Sequence, residues 1–337
     1  MNLEQIKEEY NSSKYDFVRE NEKLQNPIII GLGGSHAYGT NTNSSDLDIR
    51  GVAMNSRRNI LTGRDFEQIV NTETDTTIYS FDKFVKLLCS CNPNTIELLG
   101  LKPEHYLYLS DNGRKLLDNR KLFLSRIAIY SFGGYAKDQL RRLENKASRV
   151  LSQKEQEENI LKSIHFAYEA LKTRYFDTCD DSIKLYLDKA IQKDFDEEIF
   201  MDIKLTHYPL RDYTSIWNDM KTIVHEYTKL GKRNSHAIEH GKLGKHMMHL
   251  IRLYYMCIDI LEKQEIVTYR ETEHELLMDI RNGKYLDSNG KPTDEFYELQ
   301  HSLDGRMKYA EDNTDLPDKV DMNAVLDLVE DINSTVM

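Results

Sequence analysis

A chain of 337 residues with 56 acidic and 45 basic side chains carries a net charge of −11. That length provides for one large or two ordinary domains with ample chain for a core, and 6 Pro with 16 Gly argue against a long disordered linker. The acidic balance argues against non-specific wrapping of nucleic acid, so any such contact must be local and basic.

The first expected element is an amphipathic helix over residues 3–22, with Leu3, Ile6, Tyr10, Tyr15, Phe17 and Val18 as its apolar positions. Its acidic start is unlike a signal peptide, and no apolar run approaches membrane-spanning length. Among the cysteines Cys89, Cys91, Cys179 and Cys257, the first two lie in an apolar helical pattern with no second Cys/His pair at finger spacing. They read as buried thiols rather than zinc ligands or a disulfide framework. A reducing cytoplasm, with no membrane partner, is the expected compartment.

Residues 28–52 organise the chain. The apolar run Ile28, Ile29, Ile30 breaks into Gly31, Gly33, Gly34 and Ser35; after a polar loop, Asp46-Leu47-Asp48 leads into Ile49, Val52, Ala53 and Met54. Alternation expects Asp46 and Asp48 on one face of a strand and Leu47 and Ile49 on the other. Two adjacent carboxylates repel unless a cation lies between them, glycines let backbone approach a phosphate, and Ser35 adds a hydroxyl donor. Together these are the parts of two-metal phosphoryl chemistry. A dinucleotide fingerprint fits less well, because the sixth position is His36 and Arg50 stands where an acidic ribose contact belongs. The Gly-Lys-Ser/Thr of a Walker A loop is missing, which leaves a Gly-rich hairpin with a solvated acidic strand as the plain alternative.

Gly34-Ser35, ten residues, then Asp46-x-Asp48 resembles the signature of the DNA polymerase beta-type nucleotidyltransferase superfamily. The fuller strings, Gly-Ser-His-Ala-Tyr-Gly-Thr from Gly34 and Ser-Asp-Leu-Asp-Ile-Arg-Gly-Val from Ser45, are similar to the branch that includes RNA-repair-associated polymerase beta-like proteins. The resemblance implies an α+β fold: a polymerase beta-like domain, with a small mixed sheet and flanking helices, followed by an all-helical domain. It also implies that Asp46 and Asp48 hold Mg²⁺ or Mn²⁺, that Gly34 and Ser35 bind the nucleotide, and that a third carboxylate comes from a neighbouring strand. We assign Asp75 to that role because it heads Asp75-Thr-Thr-Ile-Tyr-Ser80, the clearest remaining β-like segment. Glu73, two residues earlier on the same face, and the more distant Glu67 stay open.

Between these acids the pattern gives a polar turn at 55–59 and a strand around 66–70. From Phe81 the period becomes helical, with Phe81, Phe84, Val85, Leu87 and Leu88 in one stripe; Asn92-Pro93 stops that helix and Asn94 caps the next. Lys83-Phe84, Asn92-Pro93 and Glu97-Leu98-Leu99 again resemble the branch. Glu97, polar in an apolar run, either orients a catalytic group or pairs with an Arg. Beyond residue 112 no segment reads as a strand. Helices are expected at 112–125, 127–146, 153–178, 181–192, 212–229, 241–263, 271–282, 293–311 and 321–333, with 193–211 as a loop. Gly133-Gly134 inside a helical pattern suggests close helix packing or a hinge.

Lys245, His249 and Arg252 fall at i, i+4 and i+7, within about 60° around a helix axis, on a helix whose other positions are apolar. Such a row needs an anionic partner: a nucleotide triphosphate, a nucleic-acid phosphate, or acids of the first domain. A solvated face is the plain competitor. The string Lys-x-x-x-His-x-x-Arg-Leu resembles a helix of the same branch, which implies nucleotide binding by Lys245, His249 and Arg252.

The resulting expectation is a catalytic domain over residues 1–112 with its N-terminal helix, then an all-helical domain over 113–337. The expected activity is metal-dependent transfer of an NMP from an NTP to an acceptor hydroxyl, an RNA end first, with release of pyrophosphate. A protein or small-molecule acceptor, or a non-catalytic nucleotide-binding module, are the alternatives. Basic edges at Lys137, Arg141 and Arg142 and at Lys229, Lys232 and Arg233 favour RNA.

Overall fold

The computed structural model describes residues 1–64, 66–147, 183–191, 197–234, 243–288 and 290–336, with part of 157–169. It divides into two compact units. One comprises Met1–Lys137, Met248–Asn282 and Glu295–Met337, and the other Asp138–Met247 and Gly283–Asp294. This division differs from the expected single cut after residue 112, because segments from the C-terminal half return to the first unit. Sequence periodicity marks each helix but not the neighbour it packs against.

In the first unit, the N-terminal segment is not the one helix expected. It forms α1 (Leu3–Tyr10), a 3₁₀ turn at Ser13–Tyr15 and α2 (Asp16–Glu20). Asn11, Ser12 and Ser13 break the run, since short polar side chains favour turns over helix interiors. Asn2 and Gln5 close the start of α1 as a reciprocal capping box.

There follow β1 (Pro27–Leu32), α3 (Gly34–Tyr38), β2 (Ile49–Ala53), α4 (Arg57–Thr62), β3 (Gln68–Asn71) and β4 (Thr76–Ser80). Next come α5 (Phe81–Cys89), α6 (Pro93–Ile96), β5 (Tyr106–Leu109), α7 (Asp111–Asp118) and α8 (Ile127–Ala147). The residues read as a polar turn at 55–59 instead open α4, because the Ser56 hydroxyl accepts the Asn59 N–H at 3.2 Å as an N-cap. Asn92, not Asn94, caps α6: its side chain accepts the Asn94 N–H at 3.0 Å, and Pro93 occupies the first helical position.

The strands form a five-stranded sheet in the order β3-β4-β2-β1-β5. β1 runs antiparallel to both β2 and β5, β2 parallel to β4, and β3 antiparallel to β4. β1 is inside the sheet, and its Ile28, Ile29, Ile30 and Leu32 are all buried, which is why the strand is continuously apolar. Gly51 of β2 faces Ile30 and Ile78 so closely that a side chain there would collide with both. β3 is one of the two edge strands and leaves Val70 exposed.

Phe81, Phe84, Val85 and Leu88 of α5 are buried at the expected helical spacing, with Ser80 as the N-cap. Gly133 meets Met307 only at ordinary contact distance, 3.7 Å, and Gly134 has no neighbour within 4 Å, so close packing does not explain this pair.

The second unit corrects the all-helical expectation for the C-terminal half. β6 (Ile183–Lys189) and β7 (Glu197–Ile203) form an antiparallel pair in continuous register from Ile183↔Ile203 to Lys189↔Glu197. The sequence pattern reads residues 181–192 as a helix and 193–211 as a loop. The alternation was present, with Ile183, Leu185, Leu187 and Ile199, Met201, Ile203, but interleaved Lys, Asp and Glu mimic a solvated helix or loop. The helix expected at 153–178 lies mostly outside the described residues. Ile160, Ile164, Tyr168 and Ile183 share a core with Ile216 and Ile223 of α9 (Tyr213–Asn234).

The remaining helices are α10 (Leu243–Lys263), α11 (His274–Arg281), α12 (Asp294–Asn313) and α13 (Met322–Ser334). α10 is buried on nearly all sides from Met247 to Leu261. No described helix is long and apolar enough to cross a membrane.

Candidate active site

The chain leaves β1 at Gly33 and returns in β2 at Ile49, and the two ends are tied by the Gly33 N–H donating to the Asp48 carbonyl at 2.8 Å. Between them Gly34 adopts a left-handed backbone, φ +54°, and a Cβ built there would overlap the Asp48 carboxylate. Two independent constraints therefore demand glycine: the dihedral and the acid seated against it. Gly34→Ala is expected to push the Asp48 carboxylate off the turn, costing roughly 1–2 kcal/mol in stability. It should also remove most activity, as read from the urea midpoint and turnover together. Ser35 follows at the start of α3, nearly buried, and the helix ends at Gly39 with φ +76°.

The alternation in burial is as the sequence predicts: Leu47 and Ile49 are buried, Asp46 is exposed and Asp48 half-buried. The secondary structure is not. β2 begins only at Ile49, so Asp46 lies in the loop and Asp48 at the mouth of the strand. The loop that follows α3 has to reverse the chain before pairing begins, and the first ladder pair is Ile49↔Leu32.

Asp75 likewise precedes its strand, in a turn with φ +43°. The parallel register pairs Ile49 with Thr76, and the Ile49 N–H donates to the Asp75 carbonyl at 3.3 Å. Asp48 and Asp75 are thus the residues immediately before the first β2–β4 pair. Arg50 joins them: its guanidinium donates to the Asp75 carbonyl and lies 3.1 Å from the Asp75 carboxylate, which is more than half exposed. Glu67 pairs with Lys83 at 3.3 Å on the surface, and the Glu73 backbone N–H is held by Asn71.

Among the described residues no three His, Cys, Asp or Glu side chains converge as a preformed metal cluster. The donor set nonetheless fits a hard divalent cation. It is all carboxylate oxygen, Asp48 and Asp75 stand at two adjoining strand mouths with Asp46 in the loop ahead, and Asp48 closes over a glycine turn that has no room for a side chain.

The basic row on α10 is taken apart by the fold. Lys245 is exposed and falls in the second unit, whereas His249 and Arg252 belong to the first. Arg252 is 1% exposed; its Nη1 lies 3.3 Å from the Glu97 carboxylate and its guanidinium 3.5 Å from the Tyr38 ring centroid. The Tyr38 hydroxyl donates to the same carboxylate at 2.9 Å. Glu97 is therefore the anionic partner of Arg252, whose cation is buried rather than on the surface. Because Tyr38 ends α3, the Arg252–Glu97 pair clamps the short helix that carries Ser35. His249 completes the cluster, with its ring 6.3 Å from that of Tyr38 and 6.1 Å from that of Tyr135.

The sequence marked Tyr15 as an apolar position and His36 as part of the motif, but not the unpartnered hydroxyl of the one or the cavity around the other. Tyr15 is fully buried with an unpartnered hydroxyl, and burial, with the negative charges of Glu9 and Asp48, pushes that hydroxyl up to about 12. His36, from the motif itself, does not face the acids. It lines a cavity of about 240 Å³ with Asn41, Lys102, Glu104, His105 and Tyr269.

Burial lowers the basicity of His36 and His105, so both stay neutral in the fold to a lower pH than in the unfolded chain. The unfolded chain takes up their protons near the ordinary value of 6.5. Stability from these groups is present above that pH and is lost as pH falls through it toward the depressed folded values. The expected result is a Tm that drops between about pH 7.5 and about pH 5.5, with a smaller drop in His36→Gln/His105→Gln.

A mixed sheet with flanking helices, carrying a Gly-Ser turn and acids at adjoining strand mouths, defines a polymerase beta-like nucleotidyltransferase domain. Residues 3–171 match the RNA repair pathway DNA polymerase beta family, and the chain belongs to that family. His249 and Arg252 lie outside the matched residues. The chain is also similar to an uncharacterized 38.9 kDa protein from the nrdC-mobD intergenic region of Enterobacteria phage T4, 28% identical over 136 residues. That alignment covers 36% of this chain and 40% of the phage protein, so the likeness spans less than half the length of either. No solved structure matches the chain.

Proposed function

We propose that the protein transfers an NMP from an NTP to the terminal hydroxyl of an RNA, releasing pyrophosphate. The observation that best supports this reading is the Asp48 carboxylate seated against the left-handed Gly34 backbone, an acid beside a Gly-Ser turn of the kind whose N–H groups approach phosphate closely. Asp46 and Asp48, with Asp75 as the third acid, are the residues that would hold Mg²⁺ or Mn²⁺. When bound, such ions neutralise the phosphates and lower the pKa of a coordinated hydroxyl.

The chain's own contribution is positional. Gly33, Gly34 and Ser35 present backbone and hydroxyl donors to the outer phosphates, and the Arg252–Glu97–Tyr38 clamp keeps α3 in place beneath them. Arg50 fixes the turn at Asp75, just ahead of β4 and next to the start of β2 that Asp48 precedes. In the reaction the acceptor hydroxyl gives its proton to solvent, its oxygen bonds to the α-phosphorus as the bond from that phosphorus to the bridging oxygen breaks, and pyrophosphate departs.

The test supplies each of the four NTPs, labelled at the α-phosphate, with divalent cation and an RNA bearing a free 3′ hydroxyl, beside the Asp46→Ala protein. Label in RNA with wild type alone supports the reading. Label in protein or a small molecule would move the acceptor class. Cation-dependent NTP binding with no label anywhere would point to a non-catalytic module.

A further inference from the structure

The chain has one tryptophan, and it is on the surface: Trp217 of α9 is 58% exposed. The core-facing side of α9 is already complete without it, built from Ile216, Met220, Ile223 and Tyr227. Lys221, Val224 and His225 follow Trp217 at i+4, i+7 and i+8, on the same outer face, and all three are exposed. Lys221, Thr222, Val224 and His225 line a shallow depression there. The helix sequence holds four Lys/Arg residues against two acids, in a chain whose net charge is −11. An exposed indole beside Lys221, on a helix whose charge balance is positive, is a surface that an unpaired nucleic-acid strand recognises. An aromatic pair on the hairpin of this unit lacks that charge balance. Tyr186 and Phe200 stack at 6.1 Å on the hairpin, but Asp202 takes the Tyr186 hydroxyl and Asp188 and Glu198 flank it.

We propose that the outer face of α9 docks the acceptor as single-stranded RNA, with an unpaired base stacked on Trp217 and backbone phosphates against Lys221 and His225. This rests on the reading of the protein as an RNA-end nucleotidyltransferase. Stacking on an indole tolerates any base, so the surface supplies affinity and leaves sequence unread. Electrostatic contact through Lys221 makes binding weaken with salt.

Because Trp217 is the sole tryptophan, its emission reports this face alone. Titration of the full-length protein with an unstructured RNA of about 12 nucleotides is expected to give saturable quenching that weakens with salt. With fluorescein-labelled RNA, Trp217→Ala and Lys221→Glu should each bind about tenfold more weakly. Lys221→Ala should lower the salt slope by about 0.7. Both residues are exposed, so unchanged urea midpoints are expected and verify folding. An absence of quenching, or wild-type affinity in both variants, would overturn the docking surface. So would a concentration-dependent blue shift without RNA, which would mean that a second protein copy covers the face. NMP transfer is measured on the same RNA. Quenching without transfer keeps the docking surface and defeats the activity, whereas transfer with unaltered binding in the variants defeats the docking surface and keeps the activity.

Discussion

Asp48→Ala is expected to lower NMP transfer by on the order of 10³-fold or more, as expected when a group stabilising transition-state charge is removed. The fold should survive, because Asp48 is half-buried at a strand mouth and its structural tie to Gly33 is made by its backbone carbonyl. A change of the urea midpoint equivalent to about 1 kcal/mol or less is anticipated. Asp48→Asn separates shape from charge: it keeps the side chain against Gly34 but removes the negative charge, and should be as inactive as alanine. Near-wild-type turnover in either variant would sink the assignment of this acid to the reaction. Asp46 provides the internal comparison, since its exposed position in the loop means that its alanine variant tests chemistry with almost no structural contribution.

Arg252→Ala has the opposite signature. It leaves the Glu97 carboxylate buried with only the Tyr38 hydroxyl and local backbone to satisfy it, and breaking a buried ion pair in this way costs about 3–5 kcal/mol. The loss should appear first as a large fall in urea midpoint, with a smaller weakening of NTP binding per folded molecule as α3 loosens. Two further variants sharpen the test. Glu97→Gln alone strands the Arg252 cation and should also destabilise; Glu97→Gln with Arg252→Met removes both charges and should recover part of the loss. A tenfold rise in the KM for NTP at unchanged stability would show instead that Arg252 meets the triphosphate.

These two residues mark how far the sequence could be read. Asp48 was legible because its role depends on neighbours in the chain: a glycine turn ahead of it, an apolar strand behind it, and alternation between them. The α5 stripe and the β1 run were legible for the same reason, since periodicity records which face is buried. Arg252 was legible only as a cation in need of an anion. Its partner, Glu97, is 155 residues away, and nothing local distinguishes a buried carboxylate from a phosphate. The β6–β7 hairpin was missed because its alternating apolar positions are separated by charges that suit a helix surface equally well.

The amino-acid order by itself determined the glycine turn, the acid pair, the apolar centre of the sheet and the family to which the chain belongs. Tertiary structure decided which distant charges neutralise one another, which unit each part of α10 joins, and that Asp75 enters beside Asp48 through the parallel β2–β4 pairing while Arg50 holds it there. The physical reason is range. Turn geometry and side-chain period act over a few residues and are written locally, whereas ion pairing and strand register join segments whose separation along the chain leaves no trace in either.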